Sequence, residues 1–150
     1  MPYYRALSAE TNVTDAKAYV AYLDAQNAVD VKRKIGTTGY CMGGPMVMRT
    51  AAALPERIGA GGSFHGSGLV TNDAESPHLL IKNMQADLLI AVAANDDERA
   101  PNDKEVLRKT AAKYGLKAEI EVYEGAMHGW CPPDSRVYHE KQAEQAWARL

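Results

Sequence analysis

The chain has 150 residues, with 17 lysine and arginine residues against 19 aspartate and glutamate residues and a formal net charge of -2. This balance argues against a nucleic-acid-binding protein, which needs basic side chains to neutralise phosphates. Hydrophobic residues make up 46% and charged residues 24%, as in ordinary globular proteins. Because a chain of this length can bury an apolar core without disulfides, we expect one domain spanning residues 1–150.

The cysteine count and the absence of long apolar segments bear on the protein's location. Cys41 and Cys131 are too few for a disulfide framework and lack the CxxC spacing of a zinc site. Residues 1–8 lack the apolar segment of a secretory signal, and no stretch approaches the roughly 18 apolar residues of a membrane span. These features predict a soluble protein in a reducing, cytoplasmic setting with no membrane partner.

Helical and strand-like patterns alternate along the chain. The first helix is predicted to start at the capping residues Thr14 and Asp15 and to continue to about residue 26. Strands are then predicted over 35–38, 58–64, 87–93 and 118–123, and helices over 46–54, 101–114 and about 136–150, with a long loop at 65–85. This alternation predicts an α/β fold in which helices flank a parallel sheet.

Chemically reactive side chains follow three of the predicted strands. Cys41 comes after the first, Asp96 and Asp97 after the third, and His128 after the fourth. Functional groups of open parallel sheets gather outside the carboxyl ends of the strands. The chain order of nucleophile, acid and histidine is that of an α/β-hydrolase triad.

The segment around Cys41 has the pattern of a nucleophile elbow, a sharp turn between strand and helix. It reads GxCxG, with sulfur in place of the usual serine oxygen. We expect both Gly39 and Gly43 to be required, because side chains there would collide with the adjacent strand and helix. The N-terminus of the following helix favours a thiolate, and the N–H of Met42 would point to where an oxyanion forms.

Each signal also has a purely structural interpretation. A lone cysteine is more often a small core residue than a nucleophile, and His128 could serve only as a hydrogen-bonded loop residue. Asp96 and Asp97 could cap a helix before Pro101. Their joint placement at three strand ends, in the right chain order, favours the catalytic interpretation.

Three segments resemble the dienelactone hydrolase family, α/β-hydrolases with a cysteine nucleophile. They are GYCMGG at 39–44, ANDDERAP at 94–101 and YEGAMHGW at 123–130, and the similarity runs from about residue 14 to the end. In that family the acid lies three residues after a glycine and four before a proline. Counting back from Pro101 selects Asp97 over Asp96, although Ala94 replaces the glycine, and His128 matches the family's GxxHG histidine.

The resemblance implies the hydrolysis of a small ester or lactone. Cys41 would attack the carbonyl, His128 would transfer the proton and activate water, and Asp97 would orient the imidazole. Met42 would supply one oxyanion donor, and no metal or organic cofactor is required.

Three further residues lie close to these motifs. His65 and Trp130 are candidate substrate-binding residues near the expected cleft, although a loop hydrogen bond for His65 and core packing for Trp130 remain open. Cys131 is expected to be an unreactive thiol, because two cysteines and a histidine make a weak zinc site.

The resembled family has a further N-terminal half, with more strands and the second oxyanion donor. We therefore expect an α/β-hydrolase-type sheet that lacks its N-terminal strands, in which residues 35–38 form an exposed edge. Such an edge invites pairing with another chain, so we expect a fragment or a truncated relative that forms a homo-oligomer through it.

Two other classes of function stay open. A catalytically inactive binding or structural domain would keep the same scaffold. A nucleotide-binding oxidoreductase is disfavoured, because Pro45 stands where a glycine-rich turn needs glycine and no acidic residue follows at the required distance of about 20 residues.

Overall fold

A computed structural model describes residues 6–150. Residues 1–5, which belong to the segment predicted to lack a secretory signal, lie outside the described residues. The main elements follow the predicted alternation of helix and strand. They are α1 (Ala9–Asp24), β1 (Ile35–Tyr40), α2 (Gly43–Ala53), β2 (Ile58–Phe64), a 3-10 helix (Pro77–Asn83), β3 (Asp87–Ala93), α3 (Ala94–Arg99), α4 (Asp103–Tyr114), β4 (Ala118–Tyr123) and α5 (Glu140–Ala148). In residues 6–150, every helix is too short or too polar to cross a membrane.

The four strands form one parallel sheet in the order β1-β2-β3-β4, which confirms the predicted α/β architecture. Tyr40 is paired with Phe64, and Phe64 is paired in turn with Ala91. This register brings the carboxyl ends of the first three strands to the same edge of the sheet. Among the described strands β1 lies at one side of the sheet, so its outer side is unpaired.

The central strand β3 is covered on both faces, which explains its uninterrupted apolar sequence. One face packs against α2, the 3-10 helix and α4, in a cluster that includes Leu88, Ile90, Met48, Ile81 and Leu107. The other face packs against α5 and the loop after β4, in a cluster that includes Leu89, Ala91, Tyr123, Trp130, Ala143 and Ala146. Alternate residues of the strand therefore serve two different cores.

Local hydrogen bonds set element boundaries that the sequence pattern placed elsewhere. Helix α1 begins at Ala9 rather than Thr14, because Ser8 and Thr11 form a reciprocal capping box in which each side-chain oxygen accepts from the other's backbone N–H. Helix α5 begins at Glu140 rather than near residue 136, since the His139 ring accepts from the N–H of Gln142 at 3.4 Å. The short helix α3 was not predicted.

The second face of the sheet is open near the amino ends of the strands. A groove of about 660 Å³ lies there, lined by residues from all four strands and by the end of the chain, among them Thr38, Gly62, Leu89, Glu119 and Leu150. Helix α5 therefore covers only the part of this face that lies nearer the carboxyl ends.

The glycines around Cys41 differ in how much space lies beside them for a side chain. A β-carbon on Gly39 would lie 2.3 Å from the carbonyl oxygen of Gly43 and 2.9 Å from Val47 Cγ2. One on Gly44 would lie 2.6 Å from the Cα of Gly66. A β-carbon on Gly43 would meet nothing within 4 Å among the described residues, so the expectation that Gly43 is required for steric reasons is wrong. The tight contacts are at Gly39 and Gly44.

We predict that Gly39→Ala destabilises the protein, because a methyl group would overlap the backbone of α2, and such overpacking costs about 1–3 kcal/mol. Gly43→Ala is the matched control and should leave the free energy of unfolding unchanged or slightly higher, since alanine favours helix. Urea unfolding of both variants measures the difference. Equal losses for the two substitutions would contradict this account of the turn.

Candidate active site

Cys41 occupies a strained turn between β1 and α2. Its φ is 53°, in the left-handed region that residues with a side chain rarely adopt. The N–H of Cys41 lies 3.1 Å from the carbonyl oxygen of Phe64, and the carbonyl of Cys41 accepts from the N–H of Gly44 at 3.1 Å. The residue is exposed and its thiol is free. This geometry is that of a nucleophile elbow.

Met42 follows Cys41 directly and precedes the first residue of α2. In residues 6–150 its N–H has no protein acceptor. An N–H at the start of a helix carries part of the positive end of the helix dipole. The amide is therefore suited to donate a hydrogen bond to a negative charge that develops next to Cys41.

His128 is held by three successive residues at the start of α3. The N–H of Ala94 donates to the carbonyl of Ala126 at 2.8 Å, and Asn95 Oδ1 accepts from the N–H of His128 at 2.8 Å. Asp96 Oδ2 lies 2.6 Å from His128 Nδ1. The beginning of α3 thus fixes the backbone of the histidine loop and also the orientation of its imidazole.

The acid beside His128 is Asp96, which replaces the expected Asp97. Both Asp97 oxygens bind Lys104 Nζ, at 2.6 and 2.7 Å, on the side toward α4. The physical reason is the helix α3: successive helical side chains point about 100° apart, so neighbouring aspartates face different partners. Counting residues back from Pro101 does not detect this helix.

His65 also has a different position from the expected one. Its side chain is 4% exposed, and Nδ1 accepts from the N–H of Cys41 at 3.1 Å. The ring centre lies 4.7 Å from that of His128. Burial lowers the pKa of His65 to about 4, helped by His128 and opposed by Asp96. His65 is therefore a neutral, buried contact of Cys41 rather than part of an exposed surface.

Trp130 belongs to the core. It is fully buried, stacks on Tyr123 with ring centres 5.3 Å apart and presents its edge to His65 at 5.1 Å. A side chain without exposed surface does not line a pocket in this structure, so the expected substrate contact is replaced by the packing interpretation. Trp130 therefore contributes to the site by packing against the His65 ring.

The site brings His128, Asp96 and His65 together beside the Cys41 turn. In the described part of the chain, Cys41 Sγ makes no hydrogen bond to His128. The Arg99 guanidinium, which is exposed to solvent, lies 3.5 Å from the Asp96 carboxylate.

The second cysteine has a different environment. Burial raises the pKa of Cys131 to about 11, so it is a neutral thiol near pH 7. Residues 6–150 contain no group of three or more histidine, cysteine or acidic side chains arranged to hold a metal ion.

Sequence reasoning missed Asn95, whose side chain holds the backbone of His128. A signal was available, because asparagine commonly bonds to backbone groups at turns and helix starts. The partner, 33 positions away, could be identified only from the fold.

Comparisons with known proteins agree with this fold. The model of the dienelactone hydrolase family matches residues 4–150. An Aquifex aeolicus protein named "putative carboxymethylenebutenolidase" is 30% identical over 117 residues, covering 77% of this chain and 48% of that protein. A Synechocystis protein of the same name is 29% identical over 142 residues, covering 92% of this chain and 56% of that protein.

A solved structure from Klebsiella pneumoniae, named "putative dienelactone hydrolase", is 26% identical and superposes with a TM-score of 0.78. It is matched over 91% of this chain and 57% of its own length. The chain therefore spans about half the length of the relatives it matches. The family match along nearly the whole chain, together with a strained cysteine turn and a His128–Asp96 pair at one sheet edge, places this chain in the dienelactone hydrolase family.

Proposed function

We propose that this chain hydrolyses a small ester or lactone by nucleophilic catalysis through Cys41, His128 and Asp96. The observation that carries the proposal is the 2.6 Å contact between His128 Nδ1 and Asp96 Oδ2 at the same sheet edge as the left-handed Cys41. The resemblance to proteins named as carboxymethylenebutenolidases supports the substrate class.

In the first half-reaction the Cys41 thiolate, whose proton has passed to His128, attacks the carbonyl carbon of the substrate. The C=O electron pair moves to oxygen, where the Met42 N–H donates a hydrogen bond to the oxyanion. Collapse of this intermediate breaks the bond to the alcohol oxygen, which takes a proton from His128. The product is a thioester on Cys41. In a lactone the alcohol remains tethered to the acyl group.

In the second half-reaction His128 removes a proton from water, which attacks the thioester carbonyl. The acid is released and the sulfur leaves as thiolate, so Cys41 is regenerated. Asp96 holds the imidazole with Nδ1–H toward itself and stabilises the imidazolium formed in each half-reaction. Because a free thiol is consumed by oxidation, this chemistry supports a reducing, cytoplasmic setting.

The exposed edge of β1 supports a further proposal, that two copies of the chain associate there. The outer side of β1 is unpaired among the described strands, and the adjacent groove leaves the apolar side chain of Leu150 exposed. Unpaired edges of this kind readily accept another strand.

We predict that Cys41→Ala and His128→Ala both abolish turnover, because one removes the nucleophile and the other the proton carrier. p-Nitrophenyl acetate and a simple lactone are the substrates, and release of p-nitrophenol or ring opening is measured. Cys131→Ala is the matched control and should keep the wild-type rate, since that thiol is neutral and half-buried. Equal rates in all four proteins would favour a catalytically inactive scaffold.

We predict that Asp96→Asn lowers kcat on the order of 10³- to 10⁴-fold, because an amide stabilises the wrong imidazole tautomer. Asp97→Asn is the control. It breaks a partly exposed ion pair with Lys104 and should cost at most about 1 kcal/mol of stability, with little loss of activity. Steady-state kinetics with p-nitrophenyl acetate separates the two. A larger loss of kcat for Asp97→Asn than for Asp96→Asn would identify Asp97 as the acid.

We predict that the 150-residue chain sediments as a dimer at micromolar concentration. Thr38→Lys, on the exposed part of β1, should shift it to monomer by placing a charge in the interface. Asn27→Lys adds the same charge at an exposed site away from the sheet and should leave the dimer intact. A stable, folded wild-type monomer would contradict the proposed association.

A further inference from the structure

His65 connects the nucleophile turn to the histidine loop. Its Nδ1 lies 3.1 Å from the backbone N of Cys41, and its ring centre lies 4.7 Å from that of His128 and 5.1 Å from that of Trp130. The ring is therefore in contact with both elements that carry the proposed reacting groups. No role in the mechanism above requires this residue.

The backbone of His65 is fixed independently of its ring. Its φ is 41°, a left-handed conformation like that of Cys41, and its N–H donates to the carbonyl of Ala91 at 2.8 Å. The N–H of Cys41 is shared between the Phe64 carbonyl oxygen and the His65 ring, both at 3.1 Å. A histidine anchored to β3 thus accepts a hydrogen bond from the strained residue at the end of β1.

This geometry determines the protonation state of His65. A ring nitrogen that accepts an N–H hydrogen bond carries no proton, so the proton of the neutral ring is on Nε2. Nε2 is buried and has no partner among the described residues. Burial also lowers the pKa of the ring to about 4, which keeps Nδ1 available as an acceptor near pH 7.

We propose that neutral His65 is a positioning residue that holds the Cys41 backbone in its left-handed conformation through the Nδ1 hydrogen bond and so keeps the thiol aligned with His128. The proposal rests on the proposed function for its kinetic consequence. Its structural part, the hydrogen bond and tautomer, is independent of whether the chain hydrolyses esters.

Two substitutions separate the hydrogen bond from the packing of the ring. His65→Phe keeps an aromatic ring but removes the acceptor, whereas His65→Asn keeps an acceptor near the Nδ1 position but loses the ring. His65→Phe should lower kcat for p-nitrophenyl acetate by about 10- to 100-fold, the cost of a misaligned reacting group, with KM little changed. His65→Asn should recover a large part of kcat.

The reverse order of activity, with His65→Phe close to wild type and His65→Asn impaired, would show a packing role and overturn the proposal. Urea unfolding of both variants accompanies the kinetics, so that a loss of fold is not counted as a loss of positioning.

NMR of the ¹⁵N-histidine-labelled wild-type chain at pH 7 gives a readout that does not depend on turnover. The expected result for His65 is a ring with hydrogen on Nε2 and none on Nδ1. An Nδ1–H tautomer or an imidazolium would overturn the proposal. If the expected tautomer is found but the wild type hydrolyses neither substrate, the proposed function fails while the hydrogen bond to Cys41 stands.

Discussion

The parallel register of β1, β2 and β3 is the constraint on which the site depends. Tyr40, Phe64 and Ala91 lie side by side across the three strands. The residues that follow them emerge at one edge, where the Cys41 turn meets His65. Because β3 continues directly into α3, the same edge also receives Asp96, which holds the imidazole of His128.

Close packing under this edge limits which residues can occupy it. The backbones of β1 and α2 approach so closely at Gly39 that a β-carbon would overlap a carbonyl oxygen, and Gly44 approaches Gly66 in the same way. The Cys41 turn is therefore held by close contacts on the face of the sheet that α2 covers. The opposite face is open near the amino ends of the strands. The chain combines a tightly supported turn with an incompletely covered sheet.

The two histidines of the site have different electrostatic surroundings. His128 Nδ1 lies against the Asp96 carboxylate, which is partly exposed to solvent. His65 lies deeper, where burial and the neighbouring imidazole disfavour its charged form. One ring thus contacts an acid and the other accepts a hydrogen bond from the Cys41 backbone, although the sequence shows only a histidine after a strand in both cases.

The sequence by itself determined the α/β alternation, the extents of β2, β3 and β4, and the placement of Cys41 and His128 after strands, because hydrophobic runs and glycine motifs are local signals. It could not determine that Asp96 rather than Asp97 faces His128. Which of two neighbouring aspartates points to the histidine depends on how α3 is rotated about its axis. Nor could the sequence show that His65 and Trp130 are buried, or that Gly43 has open space beside it. Those properties follow from contacts between residues far apart in the chain, which only the tertiary structure brings together.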